Sequence, residues 1–166
     1  YVSSGGSASI VFSPWSRGYV SKAYGANVIY QERDAHVYWG NNNSGVIGKG
    51  NSAERVIISS GVRMLLYSNG VANATTVNGG SMAVYGTATV TMLNYRGSMN
   101  VSSGGTATST TVNSGGTMSI FAGGQGNDTT VNAYGSMFVF SGGRASGLQL
   151  KSNGSLKLHD ALAENV

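Results

Sequence analysis

The chain has 166 residues, 26 of them glycine, one proline, no cysteine, and only 10% charged residues. Without cysteine it has neither disulfides nor thiolate metal sites, so its stability has to come from its core. The formal net charge of +4 comes from ten basic residues that form no run. That excludes the clustered positive face of a nucleic-acid binder, and no apolar stretch approaches the ~20 residues of a membrane span, which excludes membrane insertion by this segment.

Glycine stands at about twice its usual share of about 7%. With so much Ser, Thr and Asn, that composition would suit a disordered chain. However, 40% of the residues are hydrophobic, and they recur in register. The opening Tyr1-Val2-Ser3-Ser4-Gly5-Gly6 reads as the middle of a repeat rather than as a leader, so the chain is expected to lie within a longer protein. Gly6 and Gly25 are 19 residues apart, and Tyr24-Gly25-Ala26-Asn27-Val28-Ile29-Tyr30 echoes Tyr134-Gly135-Ser136-Met137-Phe138-Val139-Phe140. From about 31 to 55 the pattern weakens around His36, Tyr38, Trp39 and a Gly/Asn stretch over 40–45. The expectation for 1–74 is less regular coils, with a lateral loop near 31–55.

The regular repeats are expected over 75–158. Gly80-Ser81-Met82-Ala83-Val84 returns as Gly97-Ser98-Met99-Asn100-Val101, Gly116-Thr117-Met118-Ser119-Ile120, Gly135-Ser136-Met137-Phe138-Val139 and Gly154-Ser155-Leu156-Lys157-Leu158, at spacings of 17, 19, 19 and 19. A second apolar anchor runs through Ile58, Val77, Leu93, Val112, Val131 and Leu150, at spacings of 19, 16, 19, 19 and 19. Asn follows four of these anchors, at Asn78, Asn94, Asn113 and Asn132. Met-x-Val alternation, a Gly turn such as Ser103-Gly104-Gly105, and a Thr-rich stretch such as Thr108-Ser109-Thr110-Thr111-Val112 read as strand, turn, strand, turn. Strands this short cannot bury an apolar face alone, but stacking them as coils ~4.8 Å apart buries it continuously. The fold class that follows is an all-β, single-stranded parallel β-helix of one domain over 1–166. Dividing the length by ~19 residues per coil gives about nine coils. Met82, Met99, Met118, Met137 and Leu156 should form one interior column, and Val84, Val101, Ile120, Val139 and Leu158 the next. The Asn positions can form side-chain ladders or left-handed bends.

The stretch Val101-Ser102-Ser103-Gly104-Gly105-Thr106-Ala107-Thr108-Ser109-Thr110-Thr111-Val112-Asn113-Ser114-Gly115-Gly116-Thr117 resembles the imperfect 19-residue repeats of AIDA-type autotransporter adhesins. The resemblance covers 75–158 strongly and 1–74 weakly. It implies a right-handed β-helical passenger, exported through an outer-membrane barrel and displayed on a Gram-negative cell surface. Adhesion, autoaggregation and biofilm formation would be its activities, by self-association or through a surface glycan or protein. It further implies O-linked modification by a heptosyltransferase on repeat hydroxyls such as Ser102, Ser103, Ser109 and Ser114.

Other chemistry has thinner support. On a strand, Glu32, Asp34 and His36 share a face, as a metal site or the acid pair of a glycan-cleaving β-helix would require. A solvated outer face explains them as well. Gly123-Gly124-Gln125-Gly126-Asn127-Asp128 matches the start of a calcium-binding nonapeptide, but such sites need tandem copies and only this one is present. Asn-x-Ser/Thr triplets at Asn42, Asn73, Asn100, Asn127 and Asn153 are what an Asn/Ser/Thr-rich repeat produces by coincidence. Trp39 and Tyr38, with Arg33, are candidates for partner contact, because ring and guanidinium surfaces anchor ligands. Trp15, Tyr19, Tyr30 and Tyr95 also lie in or beside irregular segments. No catalytic residue and no cofactor is expected, and the chain is read as non-enzymatic; a glycan-acting β-helix or a plain spacer stalk is the alternative.

The inside/outside assignment is directly testable. Met118→Asp should lower the denaturation midpoint far more than Ser119→Asp, because it buries an unpaired carboxylate at a cost of several kcal/mol. Equal midpoints for the two variants in urea would refute the assignment.

Overall fold

A computed structural model describes residues 7–11, 27–31, 37–41, 45–50 and 52–165, with side chains from Ser52 onward, Leu162 excepted. From Ser52 the backbone winds as a parallel solenoid with three strands per coil. The first sheet stacks Val62–Leu66, Ser81–Val84, Ser98–Val101, Thr117–Ile120, Ser136–Phe140 and Ser155–His159. The second contains the short strands typified by Thr106–Thr108, and the third those typified by Thr111–Val112. Every pairing among these strands is parallel and one coil apart, so that Met64, Met82, Met99, Met118, Met137 and Leu156 lie in register.

Residues 62–150 make five complete coils, and flanking strands at each end bring the solenoid to about six turns of ~19 residues. The expected nine is not confirmed among the described residues. Length divided by repeat counted the first third as coils, yet the strands described there do not extend the three sheets in that way. Ser7–Val11 and Asn27–Gln31 pair in parallel in a separate two-stranded sheet. Val37–Asn41 runs antiparallel to both Gly45–Gly50 and Val62–Leu66, with an irregularity between Trp39 and Gly40. The first sheet thus ends in an antiparallel hairpin.

The interior is built of columns. The methionines at 64, 82, 99, 118 and 137 are buried, as are Leu66, Val84, Val101, Ile120 and Val139 beside them. Leu156 is half-buried, and Leu158 is 47% exposed, because no further coil covers that face of the last described one. The third sheet contributes Ile58, Val77, Leu93, Val112 and Val131, all fully buried, and Leu150 on the last coil is again exposed. The second sheet turns small residues inward: Ala53, Ala72, Ala88, Ala107, Gly126 and Ala145. Between the second and third sheets runs a column of buried threonines, Thr75, Thr91, Thr110 and Thr129. The first three hydroxyls have no hydrogen-bond partner, while Thr129 Oγ1 donates to Met118 Sδ at 3.9 Å. A buried hydroxyl without a partner costs about 1–3 kcal/mol, so the core tolerates this column rather than gaining from it.

All but one of the described corners hold a residue with positive φ, the exception being Tyr85-Gly86. After the first strand it is Asn69, Gly104, Gly123, Gly142 or Asp160, and after the third it is Gly61, Gly79, Arg96, Gly115, Tyr134 or Asn153. Between the second and third strands it is a different residue type at each coil: Arg55, Ala74, Val90, Ser109, Asp128, Gly147 and Asn165. Other glycines serve close approach. A Cβ on Gly116 would run into the carbonyl of Leu93 on the preceding coil.

Gly126 shows how tightly the columns fit. Ala at the equivalent position faces Val on three other coils, whereas Gly126 faces Ile120, whose Cδ1 occupies the space a Cβ would need. Gly126→Ala alone should overpack the core and destabilise by about 1–3 kcal/mol. Adding Ile120→Val should recover at least about 1 kcal/mol of that loss, which a double-mutant cycle in denaturant reads directly. Additive effects would refute the fit.

Candidate functional site: the outer faces of the coils

The alternation that points Met and Val inward points mostly polar side chains outward, with Ile57, Val71 and Met92 as exposed exceptions. On the third sheet, Asn94 Nδ2 donates to Asn78 Oδ1 at 2.7 Å, Asn113 Nδ2 to Asn94 Oδ1 at 2.7 Å, and Asn132 Nδ2 to Asn113 Oδ1 at 2.8 Å. The expected Asn ladder is therefore present. On the second sheet Asn73 Nδ2 donates to Glu54 Oε1 at 3.2 Å and Thr89 Oγ1 to Asn73 Oδ1 at 2.9 Å, while Ser146 Oγ donates to Asn127 Oδ1 at 3.0 Å.

Aromatic rings occupy a row at the end of the first strands. Tyr67 stacks on Tyr85 with ring centroids 6.5 Å apart, and Phe121 on Phe140 at 4.9 Å, followed by His159 at 5.0 Å. Phe138 lies alongside, with Lys157 Nζ 5.6 Å from its ring centre. Tyr95 is 67% exposed and carries the Arg96 guanidinium 5.2 Å from its ring centre.

The expected site residues are distributed as follows. Tyr38 and Trp39 lie on the strand Val37–Asn41, opposite Leu65 and Met64 in the ladder. Arg33, Glu32, Asp34 and His36 fall outside the described residues, as do Trp15 and Tyr19. Ser103, Ser109 and Ser114 are exposed and Ser102 half-buried, at the first, second and third corners of a single coil. Gly123 and Gly124 form an ordinary corner, and Asp128 is the positive-φ residue of the next one. The carboxylates of the described residues are scattered: Glu54 lies 4.0 Å from Arg55 on the surface, and no three of His, Cys, Asp and Glu come together as metal ligands among the described residues. No helix among them is long and apolar enough to cross a membrane. Sequence reasoning missed the aromatic row, for which the signal was the ring residue directly after Leu66, Val84, Ile120 and Val139, interrupted by Ser102 after Val101. It also missed a notch at the third corner, where one of the three residues lacking from the short spacing of 16 between Val77 and Leu93 is absent, the other two being absent at Tyr85-Gly86.

The stacked coils thus form a β-solenoid scaffold whose outer faces offer amides, hydroxyls and aromatic rings in rows. Residues 113–154 match the family described as "Adhesin of bacterial autotransporter system, probable stalk", in line with the resemblance of the repeats to AIDA-type adhesins. Among solved structures the chain is similar to a fragment of TibA hyper-glycosylated by TibC. The two share 29% identity with a TM-score of 0.69, over 98% of this chain and 65% of that one. The chain thus spans less than two thirds of that fragment. A comparison with curated proteins finds no match.

The Asn ladder gives a measurable cooperativity. Asn113 takes part in two ladder bonds and Asn78 in one. At about 1 kcal/mol per bond, Asn113→Ala should destabilise by about 2 kcal/mol and Asn78→Ala by about 1 kcal/mol in urea titrations. Equal losses would show that the ladder bonds add nothing to the solenoid.

Proposed function

We propose that this solenoid is an adhesive stalk segment, acting by many weak contacts along its length in cell–cell or cell–surface attachment. The observation that carries this reading is the repetition of the same outer groups from coil to coil, as in the Asn78–Asn94–Asn113–Asn132 ladder. A single row makes hydrogen bonds worth about 1 kcal/mol each, but rows in parallel on many displayed copies add through avidity. Self-recognition between antiparallel rods is the simplest form, since a charge of +4 over 166 residues offers little repulsion at physiological salt.

The coil hand is right-handed and the passenger leaves the cell through an outer-membrane barrel, as in the family. The chain performs no catalysis. The exposed corner hydroxyls of Ser103, Ser109 and Ser114, with Ser102, are substrates for a glycosyltransferase of the heptosyl type; the glycosylated state of the similar TibA fragment supports this. The segment around Trp39, Tyr38 and Arg33 serves any partner-specific contact. The second reading is a spacer that only holds other segments away from the cell, and it is favoured by the family's own description as a stalk.

Display of the parent protein on non-adherent cells, with and without residues 1–166, separates the two. The adhesive reading expects slower settling and reduced surface attachment when the segment is removed while export stays normal. Unchanged settling and attachment would establish the spacer.

A further inference from the structure

At the third corner the coils fall out of step. Most corners here have three residues between the anchor strand and the glycine that begins the next coil, as in Asn94-Tyr95-Arg96-Gly97, but Asn78-Gly79-Gly80 has one fewer. From Arg96 onward the corner backbones bond coil to coil: Arg96 N donates to Gly115 O at 3.0 Å, Gly115 N to Tyr134 O at 3.0 Å, and Tyr134 N to Asn153 O at 2.8 Å. Gly79 instead forms an isolated bridge back to Ser59. The retracted corner leaves a notch of about 190 Å³, floored by Gly79 and Gly80 and walled by Arg63, Arg96, Ser81 and Ser98.

Its chemistry is one-sided. Both arginines are exposed, neither has a carboxylate partner among the described residues, and no acid lines the notch. Arg96 is held by its contact with the Tyr95 ring, so less side-chain freedom remains to be lost on binding. Arg63 and Arg96 come from coils two apart, roughly 10 Å along the axis. Guanidinium groups recognise oxyanions through paired, charge-assisted hydrogen bonds, and the serine hydroxyls add neutral donors beside them.

We infer that this notch binds the oxyanions of an acidic polysaccharide, either sulfate or carboxylate groups, with the polymer running along the rod axis from Arg63 to Arg96. The inference takes from the adhesive reading only its setting at a cell surface, and its test uses the isolated chain, so binding and displayed adhesion stand or fall separately.

The 166-residue chain is titrated at low salt against dextran sulfate, polygalacturonate and uncharged dextran. Binding is expected to at least one polyanion, the two arms distinguishing sulfate from carboxylate, and not to dextran. Arg63→Ala/Arg96→Ala should weaken it by roughly tenfold or more. Arg144→Ala/Lys151→Ala removes the same charge elsewhere and should change it by less than about threefold. Insertion of one serine between Asn78 and Gly79 restores the regular corner with both arginines in place, and should weaken binding as much as the arginine pair does. Circular dichroism and the melting temperature report whether each variant keeps the solenoid, and the arginine pair decides the outcome if the insertion does not fold. Equal losses in the two charge-matched pairs, full binding in a folded insertion variant, or no binding to either polyanion would overturn the proposal.

Discussion

The structure depends on one obligation: each strand, only two to five residues long in the coils, must find its hydrogen-bond partners one coil away. Nothing within a coil can supply them, because consecutive strands lie in different sheets. The corner between the second and third strands obeys the same rule, with Ser109 N bonded to Asn127 O and Asp128 N to Ser146 O, while the other corners add a bond of their own such as Gly116 N to Asn113 O. Buried backbone groups left unpaired are costly, so the chain has to return to the same position in every coil. Stacking of like on like then follows without further design. Methionine lies over methionine inside, asparagine over asparagine outside, and the spacing of about 19 residues is the contour length of one circuit.

This obligation also decides what could be read from the sequence. The Met-x-Val motif and the apolar anchor each mark an interior column once per circuit, so the solenoid and the positions of Met82, Val84, Val112 and their equivalents were legible. The coil that opens with Val62-Arg63-Met64-Leu65-Leu66 was harder to read, because arginine stands where Ser or Thr marks the others, and leucine where Val or Ile does. The hairpin over 37–50 was not legible at all. Alternation announces a strand but says nothing of the direction in which it pairs. The buried threonines looked like ordinary strand formers, since β-branched residues suit either face of a sheet.

The candidate site was less legible than the fold. Ladders of Asn were foreseeable from their period. The stacked rings of Phe121, Phe140 and His159 were not, because ring contact depends on register at the strand ends. The notch between Arg63 and Arg96 arises from a missing residue, and a deletion is visible only as a shortened interval. What the outer faces share is that their chemistry belongs to rows rather than to single residues. A scaffold of this kind presents rows of modest contacts and, where its regularity breaks, a local site of different character.

The corner between the second and third sheets leads somewhere else. Its seven positive-φ residues are Arg55, Ala74, Val90, Ser109, Asp128, Gly147 and Asn165, no two of the same type. Even valine is held there, although a left-handed conformation costs a β-branched residue on the order of 1–2 kcal/mol. The backbone bonds on either side dictate the conformation, and the side chain is left with almost nothing to do for the fold. Such a row can drift in charge, size and polarity from one generation to the next while the coils beneath stay intact. It is a strip on which the outward identity of the rod can be rewritten one residue at a time.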